Sequence, residues 1–261
     1  MSSWDWGPGG CGTMDPGSEV GSGIASQIGH RYGFGLSVAC CGMLRFMPRS
    51  VIPPLLNCQR CPALRAQFKR LRVLYPDYWN RPVPASGPEA SPLLIVGLAP
   101  GLKGANRTGK PFVGDASGAL LSQVLERLGA LNRVRITNVV KCLPRNNKPS
   151  GLEIKRCQPF LLDDLFESSG LGQASSGAAA REARHRVYFA LGRTAHEEVV
   201  RAFGHKLKDR AFKHGARHPL ARDVWLYDSY HCSRYNVQTG RITEAMLHSV
   251  LKRALKKAKI L

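Results

Sequence analysis

The sequence predicts an α/β protein in which helices cover both faces of a mainly parallel, four-stranded sheet. Three observations predict it. Four apolar runs of strand length alternate with segments of helical period. Alternation of this kind joins parallel strands through crossover helices, which bury both faces of the sheet. Three polar, glycine-rich stretches also follow directly on strand ends, the edge at which open α/β sheets bind ligands.

The elements follow in order. Residues 93–98 (LLIVGL), 134–140 (VRITNVV), 187–192 (VYFALG) and 224–229 (VWLYDS) are the expected strands. Between them, 116–129 place Leu120, Leu121, Val124, Leu125 and Leu128 on one helical face, and 153–167 and 194–204 are expected helices. Residues 243–258 set Met246, Leu247, Val250, Leu251, Ala254 and Leu255 on one stripe with lysine and arginine opposite, and Thr243-Glu244 suits the helix start. The stretch 168–183 is low-complexity and is expected to be an exposed loop.

With 261 residues, 43% of them hydrophobic, the chain can bury a sizeable core, which excludes global disorder. No apolar run approaches the length of a membrane-spanning helix. The net charge of +20 points to a polyanionic partner. That charge is not spread evenly. Residues 1–50 carry Arg31, Arg45 and Arg49 against Asp5, Asp15 and Glu19, hold 11 of the 27 glycines and show no amphipathic period. They are expected to form a flexible tail ahead of a domain at 51–261, with translation starting at Met43 or Met47 as the matching expectation. The last helix carries Lys252, Arg253, Lys256, Lys257 and Lys259, a candidate phosphate-facing surface.

Of the eight cysteines, Cys58, Cys61, Cys142 and Cys157 form a pattern within the expected domain. Two residues between Cys58 and Cys61 turn both sulfurs to one side, and Pro62 stiffens the turn. A redox pair, a four-sulfur zinc site and a [4Fe–4S] cluster are all compatible with this frame, and spacing alone does not select among them. Residues 104–111 approach a nucleotide-binding P-loop, but Pro111 stands where the magnesium-binding hydroxyl belongs and lacks the N–H such a loop aims at phosphate. The motif therefore speaks against a P-loop NTPase.

The three loops carry a more specific signal. They read GLAPG (97–101) with GANRTGKPFVGDASG (104–118), NNKP (146–149) and YHCSRYNVQTGRIT (230–243). Together with the cysteine frame they resemble the uracil-DNA glycosylase superfamily, and most closely its family 5, the type-B enzymes of bacteria and archaea. The resemblance covers about 55–258. It implies a three-layer α/β/α sandwich, a [4Fe–4S] cluster on Cys58, Cys61, Cys142 and Cys157, a DNA partner, a monomer, and a cytoplasmic, nucleoid-associated location in a bacterium or archaeon. Other branches place a polar residue second in the first motif; Leu98 here cannot activate water, so the acid must lie elsewhere. Asp115 is the only acid of that loop and matches the family's active-site aspartate, although an aspartate before Ala116-Ser117-Gly118 also suits a helix N-cap. The two roles are compatible.

The remaining matches assign further roles. His231 would donate to the departing base, and Asn147 would bond the base or assist at the site, as would Asn138 at a strand end. Gly97, Leu98 and Ala99 would form the pocket wall, with Phe112 stacked on the base. Ser233, Arg234 and Arg241 would meet the backbone or fill the gap left in the duplex. Core packing for Phe112, turn chemistry for the asparagines and a surface role for His231 are the bland alternatives. The implied activity is hydrolysis of the N-glycosidic bond of an everted uracil, and of other deaminated bases such as hypoxanthine, leaving an abasic site without strand cleavage. A catalytically silent iron–sulfur nucleic-acid-binding protein of the same fold is the competing expectation.

Overall fold

The structure, a computed structural model, describes residues 54–167 and 182–261. The 1–50 segment, the start expected at Met43 or Met47, and 168–181 of the expected loop lie outside the described residues. In chain order the elements are α1 (Pro62–Leu74), β1 (Leu93–Gly97), α2 (Ala105–Thr108), α3 (Ala116–Arg127), β2 (Arg135–Asn138), α4 (Gly151–Leu165), β3 (Val187–Leu191), α5 (Arg193–Ala202), β4 (Arg217–Ala221), β5 (Val224–Ser229), α6 (Arg234–Gln238) and α7 (Glu244–Lys257). The sheet order is β2-β1-β3-β5-β4. All neighbours pair in parallel except the edge pair β4–β5.

The sheet thus has five strands where four were expected. The extra one, β4, reads RHPLA and mixes exposed and buried positions. It contains Pro219 and a register irregularity at 219–221, features that sheets tolerate at an edge, where a missing N–H breaks no central ladder. Apolar periodicity therefore does not reveal it. Helix α1 is likewise absent from the sequence expectations. Its buried residues Leu64, Phe68 and Leu71 stand at i, i+4 and i+7 among many cations, and Phe68 and Leu71 pack on Leu143 in a small separate core.

Every residue of β1 and β3 is buried, which explains their uninterrupted apolar sequences. Side chains alternate between two cores. Leu93 and Ile95 join Leu121, Val124 and Leu125 of α3 and Leu247, Val250, Leu251 and Leu255 of α7. Leu94 and Val96 join Phe160, Leu161 and Leu165 of α4 and Val199 and Val200 of α5. The result is the expected three-layer sandwich. Helix starts are capped as their sequences suggest: Ser150 and Glu153 form a reciprocal capping box on α4, and Thr243 accepts from the Met246 N–H on α7.

Helix α7 follows the loop beyond β5 and runs back along the sheet. Its Lys257 ammonium lies 4.8 Å from the ring centre of Trp225, near the start of β5, whereas Arg253, one turn earlier, donates at 3.2 Å to the Gly215 carbonyl, beside Asp228 near the end of β5. The last turn of this helix, with Lys257, therefore lies toward the edge opposite the strand-end loops. Leu251 is fully buried between α7 and the sheet. Leu251→Ala should lower unfolding free energy by about 2–5 kcal/mol in urea titration; a loss below about 1 kcal/mol would mean that α7 does not close this core.

Candidate active site

The loop after β1 begins at a glycine with no room for a side chain. A β-carbon on Gly97 would sit 2.4 Å from Asn138 Oδ1 and 2.5 Å from the Phe112 ring. Three segments distant in sequence therefore meet at one point. Asn138 ends β2 beside Gly97, as the parallel register requires. The chain then turns, with the Val139 and Val140 N–H groups donating to the Gly97 and Leu98 carbonyls at 2.9 and 3.0 Å. For this reason β2 stops at Asn138, short of the expected 140. Asn138 is 3% exposed, and its Oδ1 has no hydrogen-bond partner. The Phe112 backbone holds a positive φ of 53°, unusual for a bulky residue. Its carbonyl lies where a β-carbon on Gly118 would stand 2.2 Å away, so the first turn of α3 can approach only through a glycine.

Asp115 caps α3: its Oδ1 accepts from the Gly118 N–H at 2.9 Å. The N-cap geometry expected from sequence is present, and it leaves the second oxygen available. A β-carbon on Gly104 would stand 2.1 Å from Oδ2, and one on Gly101 3.1 Å from it. The glycines of the first motif thus make the space in which this carboxylate sits.

His231 lies two residues beyond β5, its ring centre 5.9 Å from that of Phe112. Burial lowers its pKa, and the negative Asp115 nearby pulls in the opposite direction. The environment therefore favours the neutral ring. Its loop is pinned on both sides. The His231 carbonyl accepts from Asn236 Nδ2 at 2.8 Å. Cys232 is 1% exposed and its Sγ donates to the Ser117 carbonyl at 3.4 Å, with its thiol pKa pushed up to about 12 by burial. This buried link to α3 holds the loop at Cys232. Ser233 caps α6.

These groups line one cavity of about 660 Å³, formed by Leu98, Ala99, Phe112, Asp115, Asn138, Asn147, His231 and Ser233 with Pro100, Gly101, Leu102, Lys103, Ala105 and Ser117. Gly97 is buried behind Phe112 and Asn138 and does not itself line the cavity. Arg234 is exposed and does not line the cavity. Asn147 reaches it from an exposed turn with a φ of 55°. Lys103 is the amine on its wall. An adjoining cavity of about 430 Å³ shares Leu98 and His231 and adds Arg193, Phe212, Lys213, Tyr230 and Arg241. Arg193 stands at the start of α5, immediately after β3, so the strand-end rule that located the other loops also applies to it. Nothing in the pattern around Lys213 signals its position.

The four patterned cysteines line a third cavity, of about 280 Å³, and none of the four is in a disulfide. Burial raises the thiol pKa values of Cys61, Cys142 and Cys157. Neighbouring cysteines reinforce the rise, while Arg156 opposes it at Cys61 and Lys141 opposes it at Cys157. Thiolates here need a compensating cation. Cys157 Sγ already accepts from the Lys141 N–H at 3.2 Å, and Arg60, Arg65, Lys69, Arg72, Arg81 and Arg156 surround the space. Among the described residues the compact set of metal-type ligand atoms is His196, His218 and Asp228, in which both imidazoles hydrogen-bond the one carboxylate.

A sequence profile of the Uracil DNA glycosylase superfamily matches residues 84–168, which span β1, the Asp115 loop, β2 and α4. The matched stretch carries the loops that bring Asp115 and Asn138 to the strand ends, and the α/β fold is consistent with that superfamily. A type-5 uracil-DNA glycosylase of Thermus thermophilus is 38% identical over 78% of this chain and 94% of its own length. One of Pyrobaculum aerophilum is 38% identical over 77% of this chain and 88% of its own. A type-4 uracil-DNA glycosylase of the same archaeon is 39% identical, but over only 42% of this chain and 50% of its own. The chain belongs to the type-5 uracil-DNA glycosylase family.

The His231 environment gives a direct test. Asp115 is the group that raises the His231 pKa, so Asp115→Asn should lower it further, extending the neutral range to more acidic pH. An NMR pH titration of the ring should show both the low wild-type value and the further drop; an upward shift would contradict this geometry.

Proposed function

We propose that this protein is a DNA-repair glycosylase that receives an everted uracil in the cavity bounded by Phe112, Asn138, Asp115 and His231 and hydrolyses its bond to deoxyribose. One observation carries the proposal: a carboxylate, a neutral imidazole and an amide with unspent hydrogen-bonding capacity converge, from three strand ends, on a space large enough for a nucleotide. A base inside the stack cannot reach such a space, so it must rotate out, at a cost of a few kcal/mol. Phe112 offers a face for stacking. The Asn138 amide carries an acceptor beside donors, complementary to the N3–H and O4 edge of uracil.

As the glycosidic bond breaks, the sugar becomes cation-like and the base anion-like. Asp115 Oδ2, free of the capping bond, stabilises the sugar and orients the water whose oxygen joins it. His231, neutral but still carrying one N–H, donates to the base as negative charge develops. Leu98 contributes wall and no chemistry. Lys103, Arg193, Lys213 and Arg241 surround the mouth with positive charge for the phosphates. Among the described residues no helix is long and apolar enough to cross a membrane. The products are a free base and an abasic site; strand cleavage would need an amine to attack the sugar, and exposed Lys103 serves phosphate instead.

The cysteine cavity fits a [4Fe–4S] cluster. Four thiols line one space, a backbone N–H already points at one sulfur, and the surrounding cations suit a cluster of net negative charge. When bound, the group supplies structural cross-linking: Cys58 and Cys61 tie the start of α1 to Cys142 after β2 and Cys157 of α4. The wider substrate range, hypoxanthine included, follows from the same amide, because deaminated purines present a ring N–H beside a carbonyl.

Single-turnover excision from a uracil-containing oligonucleotide tests the proposal. His231→Ala should slow release by about 10²–10³-fold. Asp115→Asn should slow it sharply while DNA binding persists. Unchanged rates in both would remove the assignment, and a borohydride-trapped protein–DNA adduct would remove the hydrolytic mechanism. The purified protein should be brown and contain iron and acid-labile sulfide in equal amounts; stoichiometric zinc would overturn the cluster.

A further inference from the structure

We propose that Lys141 is a positioning residue for base recognition, fixing the strand end that presents Asn138 to the cavity. The inference rests on the proposed role of Asn138. Lys141 is 1% exposed, and it lies outside the base cavity. Its ammonium has three donors, and all three are committed. They go to the Thr137 hydroxyl at 2.6 Å, the Asn138 carbonyl at 2.7 Å and the Asp164 carboxylate. Asp164 also accepts from the Thr137 hydroxyl at 2.7 Å, closing the network on α4. No polar group of the ammonium is left for chemistry.

The backbone of Lys141 is anchored as firmly. Its N–H donates to Cys157 Sγ at 3.2 Å, and its carbonyl accepts from the Val83 N–H at 2.6 Å. The turn 138–141 is therefore held at three places. Val139 and Val140 bind it to the first motif, Lys141 binds it to α4, and the Lys141 side chain folds back to grip the carbonyl of the residue whose amide faces the base. A buried ion pair contributes little net stability compared with a well-packed apolar pair, so stability alone does not account for it. Orientation does: without the ammonium, the Asn138 carbonyl loses its side-chain partner and the amide is free to turn. Because Lys141 stands between Cys157 and Asn138, the same residue joins the cysteine cavity to the base cavity.

Two variants separate positioning from folding. Lys141→Met keeps the length of the side chain but strands Asp164. The double variant Lys141→Met with Asp164→Leu removes both charges and should fold with a melting temperature close to wild type. Both should retain the visible absorption of the cysteine centre and oligonucleotide affinity. In both, single-turnover uracil release should fall by about 10–100-fold, as expected for small misplacement of a contacting group. The preference for uracil over cytosine should narrow. The Asn138 side-chain amide resonances should shift, a readout independent of activity that remains valid even if the wild-type protein releases no uracil. A folded double variant with wild-type rate, selectivity and Asn138 resonances would overturn the proposal. So would a double variant that loses its visible absorption in step with its activity, because Lys141 would then serve the cysteine centre alone.

Discussion

The absence of a side chain at Gly97 is the constraint on which the site depends. At the last position of β1 the Phe112 ring and the Asn138 amide both occupy space that a β-carbon would take. This close approach brings the Phe112 ring and the first motif against the end of β2. Gly104 and Gly118 extend the same device, one admitting the Asp115 carboxylate and the other the Phe112 carbonyl. The sandwich beneath, with strands buried on both faces, keeps those strand ends in register. The glycines therefore serve close packing more than flexibility.

The site combines two kinds of order. Asp115 and Ser233 are held locally, each as the cap of the helix it begins. His231 and Asn138 are held by longer-range links. Cys232 reaches the Ser117 carbonyl, and Asn236 reaches the His231 carbonyl. The turn after Asn138 is fastened to both the first motif and α4. The two expectations for Asp115 are geometrically compatible, since Oδ1 serves the helix cap while the residue also lines the cavity. Burial favours the neutral form of His231, the form that the proposed donation to a departing base requires.

Much of this was legible in the sequence. The apolar runs located four strands, because strands covered on both faces leave no polar alternation to confuse with helix. The rule that ligands gather at strand ends, with the motifs themselves, located Phe112, Asp115, Asn138, Asn147 and His231. What escaped detection has physical reasons. Strand β4 has an edge position, a proline and mixed burial. Helix α1 shows its apolar stripe only at Leu64, Phe68 and Leu71 among basic residues. Arg193 and Lys213 reach the neighbouring cavity from segments without a motif. Lys141 resembles any surface lysine until the fold encloses it. Basic residues of α7 drew attention by number, yet none of them lines the cavity or its neighbour, whose cations come singly from four segments.

The most direct measurement is a crystal structure of the Asp115→Asn variant with a uracil-containing duplex. The expected result is an everted uracil on the Phe112 ring, its N3–H and O4 edge against the Asn138 amide, and the His231 ring within hydrogen-bonding distance of the base. A uracil still stacked in the duplex, or an everted base lodged away from Phe112 and Asn138, would contradict it.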